Sequence, residues 1–277
     1  MGFRINTNVS SISAQRTLGV NNREAESNLA KLSSGTRIAK SADDAAGLAI
    51  SEKMKASIRS MKQADRNAND GISMVQTAEG GLNEVSSILT RMRELSIQTS
   101  SDTVGDSERA MTNLEYQNLK LELERISQVT EFNGKKLLDG SGDKYDFQIG
   151  VNNDQFQDRI SYQSDMVNSK LDSLGVAELD VSTKDGSQQA LASLDSAIEK
   201  VSGSRAFLGA IQNRLVSTSN NLQVTGENLS AANSRIRDVD YAEATATKAK
   251  NDILASAGTS VLAQANMSGQ NALKLIG

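Results

Sequence analysis

The sequence predicts a mainly α-helical protein: an elongated antiparallel helical bundle or coiled coil with a small β-hairpin, in which the N- and C-terminal helices pair. Three observations support this fold class. One apolar stripe keeps helical register across residues 50–99 without a proline. A second stripe repeats mainly every seven residues between 191 and 236. Aromatic residues make up only 3% of the chain, which favours thin helical seams over a thick core.

The N-terminal part predicts a weakly amphipathic helix over residues 3–35. Small and capping residues then interrupt the pattern, and Asp43 or Ser41 is expected to cap the long helix that follows. At about 1.5 Å per residue, a helix over 50–99 would run roughly 75 Å, too far for a compact domain of this size. The chain is therefore predicted to be a rod. The long stripe consists of Ile50, Met54, Met61, Ala68, Ile72, Val75, Leu82, Val85, Leu89 and Met92.

After a turn at 100–106, a second helix is predicted from about 107 to 129, folding back antiparallel to the first. It carries two apolar stripes, which predicts contacts with two neighbours at once. Alternation of apolar and polar residues then predicts a β-hairpin at about 143–162, followed by a polar connector over 163–186. The two helical stripes are Met111, Leu114 and Leu121, and Leu119, Leu123 and Ile126.

The heptad repeat beginning at Leu191 predicts coiled-coil packing against the long central helix, and residues 240–276 are predicted to be helical again. Both ends are rich in Ala, Ser and Asn, with narrow apolar stripes. Ordering a residue costs about 1 to 2 kcal/mol, whereas apolar burial returns about 25 cal/mol per Å². Because a lone two-helix pair buries too little, the ends are predicted to be disordered in the monomer and to fold in a polymer.

Composition argues against most chemical functions. The chain has no cysteine and no histidine, so disulfides, thiolate metal sites and the commonest general base are excluded, and no cofactor is expected. Asp43 and Asp44 are interpreted as helix-capping groups rather than metal ligands. The net charge of -4, with scattered Lys and Arg, predicts no nucleic-acid partner. No run of eighteen apolar residues and no secretory signal are present, so no membrane association is expected, and ordinary routes would leave the chain in the cytoplasm.

Several motifs, in order, resemble the bacterial flagellins over the whole length of the chain. The N-terminal motifs are INTN at 5–8, AQRTL at 14–18, LSSGTRI at 32–38 and DDAAGLAIS at 43–51. The C-terminal motifs are GAIQNRL at 209–215, RIRDVDYA at 235–242, ILASAGTSVLAQAN at 253–266 and LIG at 275–277. One departure is Glu243-Ala244, where the family usually carries Thr-Glu or a similar pair.

The resemblance implies a structural subunit, not an enzyme, that polymerises into the extracellular flagellar filament for swimming motility. It implies export in unfolded form by the flagellar type III system, with an export chaperone, the filament cap and hook-junction proteins as partners beside the chain itself. Residues 1–43 and 235–277 would form an inner coiled-coil domain, and 44–234 a helical rod domain with the hairpin. Because 163–186 takes the place of the outer variable domains, these are expected to be missing.

Two surfaces carry the expected function. Apolar residues of both ends are expected to drive subunit assembly. The resemblance also assigns three residues of the rod to packing between subunits first, and second to recognition of free monomer by the host Toll-like receptor for flagellin: Arg91, Leu95 and Glu115. The assembly residues are Ile5, Val9, Ile12, Leu29, Leu32, Ile253, Leu254, Val261, Leu262, Leu273 and Ile276.

The sequence leaves two alternatives open. A hook-filament junction protein shares the terminal patterns, although it would be expected to carry a large middle region. A cytoplasmic coiled-coil scaffold is not excluded by periodicity alone.

Overall fold

A computed structural model describes the backbone of residues 7–274 and the side chains of residues 7–267. Nearly all of the regular structure is helical, and the strands pair as two short antiparallel hairpins. The predicted fold class, a helical bundle with a small β-hairpin, is confirmed. In chain order the elements are α1 Val9–Ser34, α2 Ala45–Thr99, α3 Asp106–Val129, β1 Glu131–Phe132, β2 Lys135–Lys136, β3 Lys144–Gln148, β4 Arg159–Gln163, a 3-10 turn Ser164–Val167, α4 Leu171–Leu174, α5 Lys184–Arg237 and α6 Tyr241–Lys274.

The chain divides into two compact units. The central unit is Ser57–Glu227, and the terminal unit combines Met1–Ala56 with Asn228–Gly277. Both divisions fall inside continuous helices, α2 and α5, so neither boundary is marked by a loop or a change of composition.

The core of the central unit is a heptad seam between α2 and α5. Four buried residues of α5 continue the predicted repeat: Leu194, Val201, Leu208 and Leu215. Their partner helix α2 runs antiparallel, since Arg93 Nε donates to Asp195 at 2.6 Å near one end and Ser219 Oγ donates to Asp65 at 2.5 Å near the other. The facing positions of α2 follow two lines with a spacing of seven, as a coiled-coil seam requires. These buried positions are Ala68, Val75, Leu82, Leu89 and Ser96, and Ala78, Val85, Met92 and Thr99.

Helix α3 packs antiparallel on α2 through one of its two predicted stripes. Leu123 and Tyr116 are buried, and the Arg109 guanidinium is buried at the turn that joins the two helices. There Arg109 Nε donates to the carbonyl of Thr99 at 2.9 Å and NH2 donates to that of Ser101 at 2.9 Å. A charged donor satisfying carbonyls at the end of α2 fixes the turn without a helix cap.

The predicted hairpin is present, with Tyr145 paired opposite Tyr162 and their rings stacked at 6.0 Å. Tyr162 is buried and its hydroxyl donates to the carbonyl of Leu137 at 2.6 Å, which ties the hairpin to the core. Burial also raises the pKa of the Tyr162 hydroxyl well above its usual value. A second, smaller hairpin, β1–β2, turns at Asn133 and Gly134, whose φ angles of 51° and 75° suit an Asn-Gly two-residue turn.

Residues 163–186 were predicted to be a polar connector, but part of this segment packs into the core. Val167, Leu174, Val176 and Val181 are buried in the core cluster, although their spacing shows no helical or strand period. The amine of Lys120 on α3 donates to the carbonyls of Ala177 and Leu179, at 2.5 and 3.1 Å. The connector is thus part of the folded central unit.

In the terminal unit, α1 and α6 pack as an antiparallel pair through a seam of small and amide side chains. Ser11, Ala244 and Asn251 are buried there. Three hydrogen bonds set the register: Asn8 Nδ2 to the carbonyl of Ala265 at 2.8 Å, Ser11 Oγ to Asn266 at 2.8 Å, and Asn28 Nδ2 to the carbonyl of Ala244 at 2.9 Å. On α1 the seam positions follow steps of three and four: Ser11, Ala14, Leu18, Asn21, Ala25, Asn28 and Leu32.

The described terminal segments are continuous, paired helices in the structure, and their disorder in the free monomer stays a prediction. The expected cap of α2 needs correction. The cap of α2 is Asp44, since its carboxylate accepts from the amide of Gly47 at 2.8 Å. Asp43 instead accepts from the amides of Ala39 and Lys40 at 3.0 Å, which lowers the pKa of its carboxyl. The sequence does not tell which of two adjacent aspartates caps a helix, because both side chains offer the same acceptor group.

Candidate assembly surfaces

The terminal helix pair leaves many of its large apolar side chains exposed, because its seam is made mainly by Ser, Ala and Asn with a few leucines. Ile12 is 58% exposed although its neighbour Ser11 is buried. On α6, Val261 is likewise 58% exposed beside the partly buried Leu262. We call these exposed side chains the terminal apolar face: Val9, Ile12, Val20 and Leu29 on α1, and Ile253, Leu254, Val261 and Met267 on α6.

The predicted assembly residues are distributed over both faces of this pair. Leu32 and Leu262 lie partly buried in the seam between α1 and α6. Val9, Ile12, Leu29, Ile253, Leu254 and Val261 belong to the terminal apolar face. Ile5, Ile276 and the side chain of Leu273 lie outside the described residues. Val20 and Met267 were missed, although both fit the helical spacing of residues already singled out.

In the central unit, Arg91 and Glu115 form an exposed ion pair between α2 and α3. Arg91 Nε donates to Glu115 Oε1 at 3.0 Å, and Arg91 NH1 donates to Glu94 at 3.0 Å. The hydrogen bond to Glu115, followed by that to Glu94, raises the pKa of the Arg91 guanidinium. Leu95 does not join this pair at the surface: it is 1% exposed and belongs to the hydrophobic core.

Next to this ion pair, the other predicted stripe of α3, which does not pack on α2, faces outward. Met111, Leu114 and Leu121 are each close to 70% exposed. We call these three residues the α3 apolar face. The sequence predicted a second neighbour here, and within the described part of the chain these side chains remain largely uncovered. A contiguous exposed apolar face on a folded unit is typical of a surface that a partner covers.

Among the side chains of residues 7–267, no group of three or more acidic side chains is placed to hold a metal ion. No helix in this part of the chain is long and apolar enough to span a membrane.

Comparisons with known proteins show the family of the chain. The family models described as the bacterial flagellin N-terminal and C-terminal helical regions match residues 5–143 and 191–276. The flagellin of Halalkalibacterium halodurans is 44% identical over 272 residues, covering 98% of this chain and 99% of that protein. The flagellin of Bacillus subtilis is 43% identical over 309 residues, covering 99% and 100%. The crystal structure of Bacillus cereus flagellin, 29% identical with a TM-score of 0.50, covers 61% of this chain and 94% of that one. The chain belongs to the bacterial flagellin family.

Proposed function

We propose that this chain is the structural subunit that polymerises into an extracellular bacterial flagellar filament for swimming motility. Its family consists of structural proteins rather than enzymes. The observation that carries the proposal is the terminal apolar face, which is exposed in the single chain. Full burial of a Val, Leu, Ile or Met side chain contributes about 1.5 to 3 kcal/mol, so several such residues supply the driving force for association.

The composition of the seam between α1 and α6 supports the interpretation that the ends of the subunit fold and unfold reversibly. Small side chains bury little apolar area, and each hydrogen bond in the seam contributes only about 1 kcal/mol net. The pair is therefore of low stability until neighbouring copies cover the terminal apolar face. This suits passage of an unfolded chain through a type III export apparatus, with an export chaperone before assembly and the filament cap and hook-junction proteins as partners outside the cell.

We propose the same organisation for the domains. Residues 1–43 and 235–277 form the inner coiled-coil domain, and 44–234 the helical rod domain without outer variable domains. The folded connector at 163–186 supports the second part, because its buried valines and the clamp by Lys120 leave no long excursion of the chain. Neither a hook-filament junction protein nor a cytoplasmic scaffold is favoured, since the flagellins that the chain resembles match it over nearly their whole length.

Seeded polymerisation combined with amide hydrogen exchange tests this function. Monomer added to short filament fragments is expected to extend them. Exchange of residues 9–34 and 241–274 is expected to be fast in the monomer and slow in the polymer, while the core of the central unit stays protected in both. Protected ends in a monomer that never extends a seed would contradict the proposal.

We also propose that Arg91 and Glu115, supported from beneath by the buried Leu95, form a packing surface between subunits, and that the Toll-like receptor for flagellin recognises this surface in free monomer. The support is the exposure of the ion pair beside the α3 apolar face. Exposed pairs add little to the stability of a single chain, so a role between chains explains them better.

Charge reversal distinguishes a role of this ion pair between subunits from a role within one subunit. Arg91→Glu and Glu115→Arg are each expected to raise the critical concentration for polymerisation, by roughly tenfold if one buried charge contact is lost. The double swap restores the pair within the chain. Because a neighbouring subunit would still meet reversed charges, we expect the double swap to remain defective. The matched control is the swap of Arg93 and Asp195, which also bridges two helices. Full recovery by the Arg91–Glu115 double swap would show that the pair acts only within one subunit.

A further inference from the structure

The loop between β3 and β4 presents an aromatic side chain to solvent. Phe156 is 90% exposed, in a chain that contains only five phenylalanines and no tryptophan. An aromatic ring of this size is among the largest apolar surfaces a residue can bury, so leaving it in water forgoes substantial stabilisation. Phe156 is therefore a candidate contact residue for a partner.

The loop that carries Phe156 is fixed by hydrogen bonds. The carboxylate of Asp154 accepts from the amides of Phe156 and Gln157, at 2.8 and 2.9 Å. The buried carboxylate of Asp158 accepts in turn from the amides of Asn152 and Asp154, at 3.3 and 2.9 Å. Because both ends of the loop are held, Phe156 is preorganised outward, which reduces the entropy lost when a partner binds.

The surroundings of Phe156 resemble the centre of a protein interface. It borders a cavity of about 410 Å³, whose lining includes Ile149, Ile160, Arg159 and Arg214. Among the described residues, Arg214 has no carboxylate within ion-pair distance. Aromatic and arginine side chains together are enriched among the residues that contribute most to binding between proteins.

A second copy of this chain carries a surface of matching character. The α3 apolar face offers three exposed aliphatic side chains, and Glu108, Glu115 and Glu122 follow it at intervals of seven. Glu108 has no cationic partner in the described part of the chain, which complements the unpaired Arg214. Both patches are exposed in the single chain, so neither occupies the other within one subunit.

The two patches differ, and that difference fixes the kind of assembly they form. When one patch binds a different patch on the next copy, the contact is heterologous, and repetition gives a ring or an open helical polymer rather than a closed dimer. We propose that Phe156 packs against the α3 apolar face of a neighbouring subunit and that this contact helps to propagate the filament. The inference rests on the proposed function and names the partner surface for its central unit.

Cysteine cross-linking tests the contact directly, because the natural chain has no cysteine. Subunits carrying Phe156→Cys and subunits carrying Leu114→Cys are mixed, assembled on seeds and oxidised. Since each subunit has one cysteine, every disulfide joins two subunits. We expect mixed dimers of the two variants, and none when Leu114→Cys is replaced by the exposed control Ser196→Cys on α5.

Truncation supplies an independent measurement. Phe156→Ala is expected to raise the critical concentration for seeded growth by roughly 30-fold, as for a central aromatic contact, whereas the neighbouring Gln157→Ala leaves it unchanged. If wild-type chain fails to extend seeds, the proposed function itself fails. If wild-type chain extends seeds but Phe156→Ala matches it and no mixed disulfide forms, only the contact is overturned. Disulfides from position 156 to the Ser196→Cys control instead would also overturn it.

Discussion

Replacement of Ile12 and Val261 by aspartate is expected to prevent filament growth while leaving the monomer folded. Both side chains are more than half exposed in the single chain, and surface substitutions of this kind change stability by less than about 0.5 kcal/mol. In the polymer, each change removes about 1.5 to 3 kcal/mol of apolar burial and adds the cost of desolvating a carboxylate. Together these effects raise the critical concentration by at least about 100-fold.

Seeded growth followed by sedimentation measures this effect, with circular dichroism of the monomer as the check on folding. The matched control is Gln15→Asp with Gln264→Asp, which adds the same charges at exposed polar positions of the same two helices. Normal growth by the control is expected. Equal loss of growth in both double variants would mean that negative charge, and not the loss of the terminal apolar face, is responsible.

Two leucines in the central unit are expected to respond in opposite ways to alanine. Leu89 is fully buried in the seam between α2 and α5, so Leu89→Ala leaves a cavity and lowers the free energy of unfolding by about 2 to 5 kcal/mol. Leu114 is 68% exposed, so Leu114→Ala leaves the unfolding free energy within about 0.5 kcal/mol. It is instead expected to weaken seeded growth, since we propose that the α3 apolar face is buried between subunits.

Urea unfolding of the monomer, followed by tyrosine fluorescence, measures the stability change, because three of the four tyrosines lie in the central unit: Tyr116, Tyr145 and Tyr162. Growth on seeds measures the second effect. A large loss of monomer stability in Leu114→Ala would show that the α3 apolar face is covered within the chain, and would remove it as a contact between subunits.

Periodicity predicted the long helices well because it persists over many turns. The repeat through Leu194, Val201, Leu208 and Leu215 leaves only one helix face on which all four can be buried together. The hairpin was predictable for a similar reason, since alternation and a turn coincide at 145–162. Burial of the connector was not predictable from the sequence. Its buried valines show no regular spacing, so tertiary contacts rather than periodicity decide which of its residues are buried.

The terminal helices show a different limit of prediction from sequence. Sequence reasoning identified the large side chains, such as Ile12 and Leu29, but it gave no means to tell a seam within one chain from a surface between chains. In the structure the intramolecular seam takes Ser11 and Asn28 together with Leu32, whereas Ile12 and Leu29 are mostly exposed. Helical spacing defines a face, whereas the partner of that face is decided by tertiary packing.

The hydrogen bonds in the seam between α1 and α6 also affect how accurately the two helices align. A slip of α1 along α6 by one heptad would keep the same face of α1 in the seam. The slip would, however, separate Asn8 from Ala265 and Asn28 from Ala244, and leave those polar groups without their partners. Since an unsatisfied polar group costs about 1 to 3 kcal/mol when buried, these weak bonds select the alignment. If the ends of a subunit fold during polymerisation, as proposed above, we expect these bonds to favour the correct pairing before the next subunit covers it.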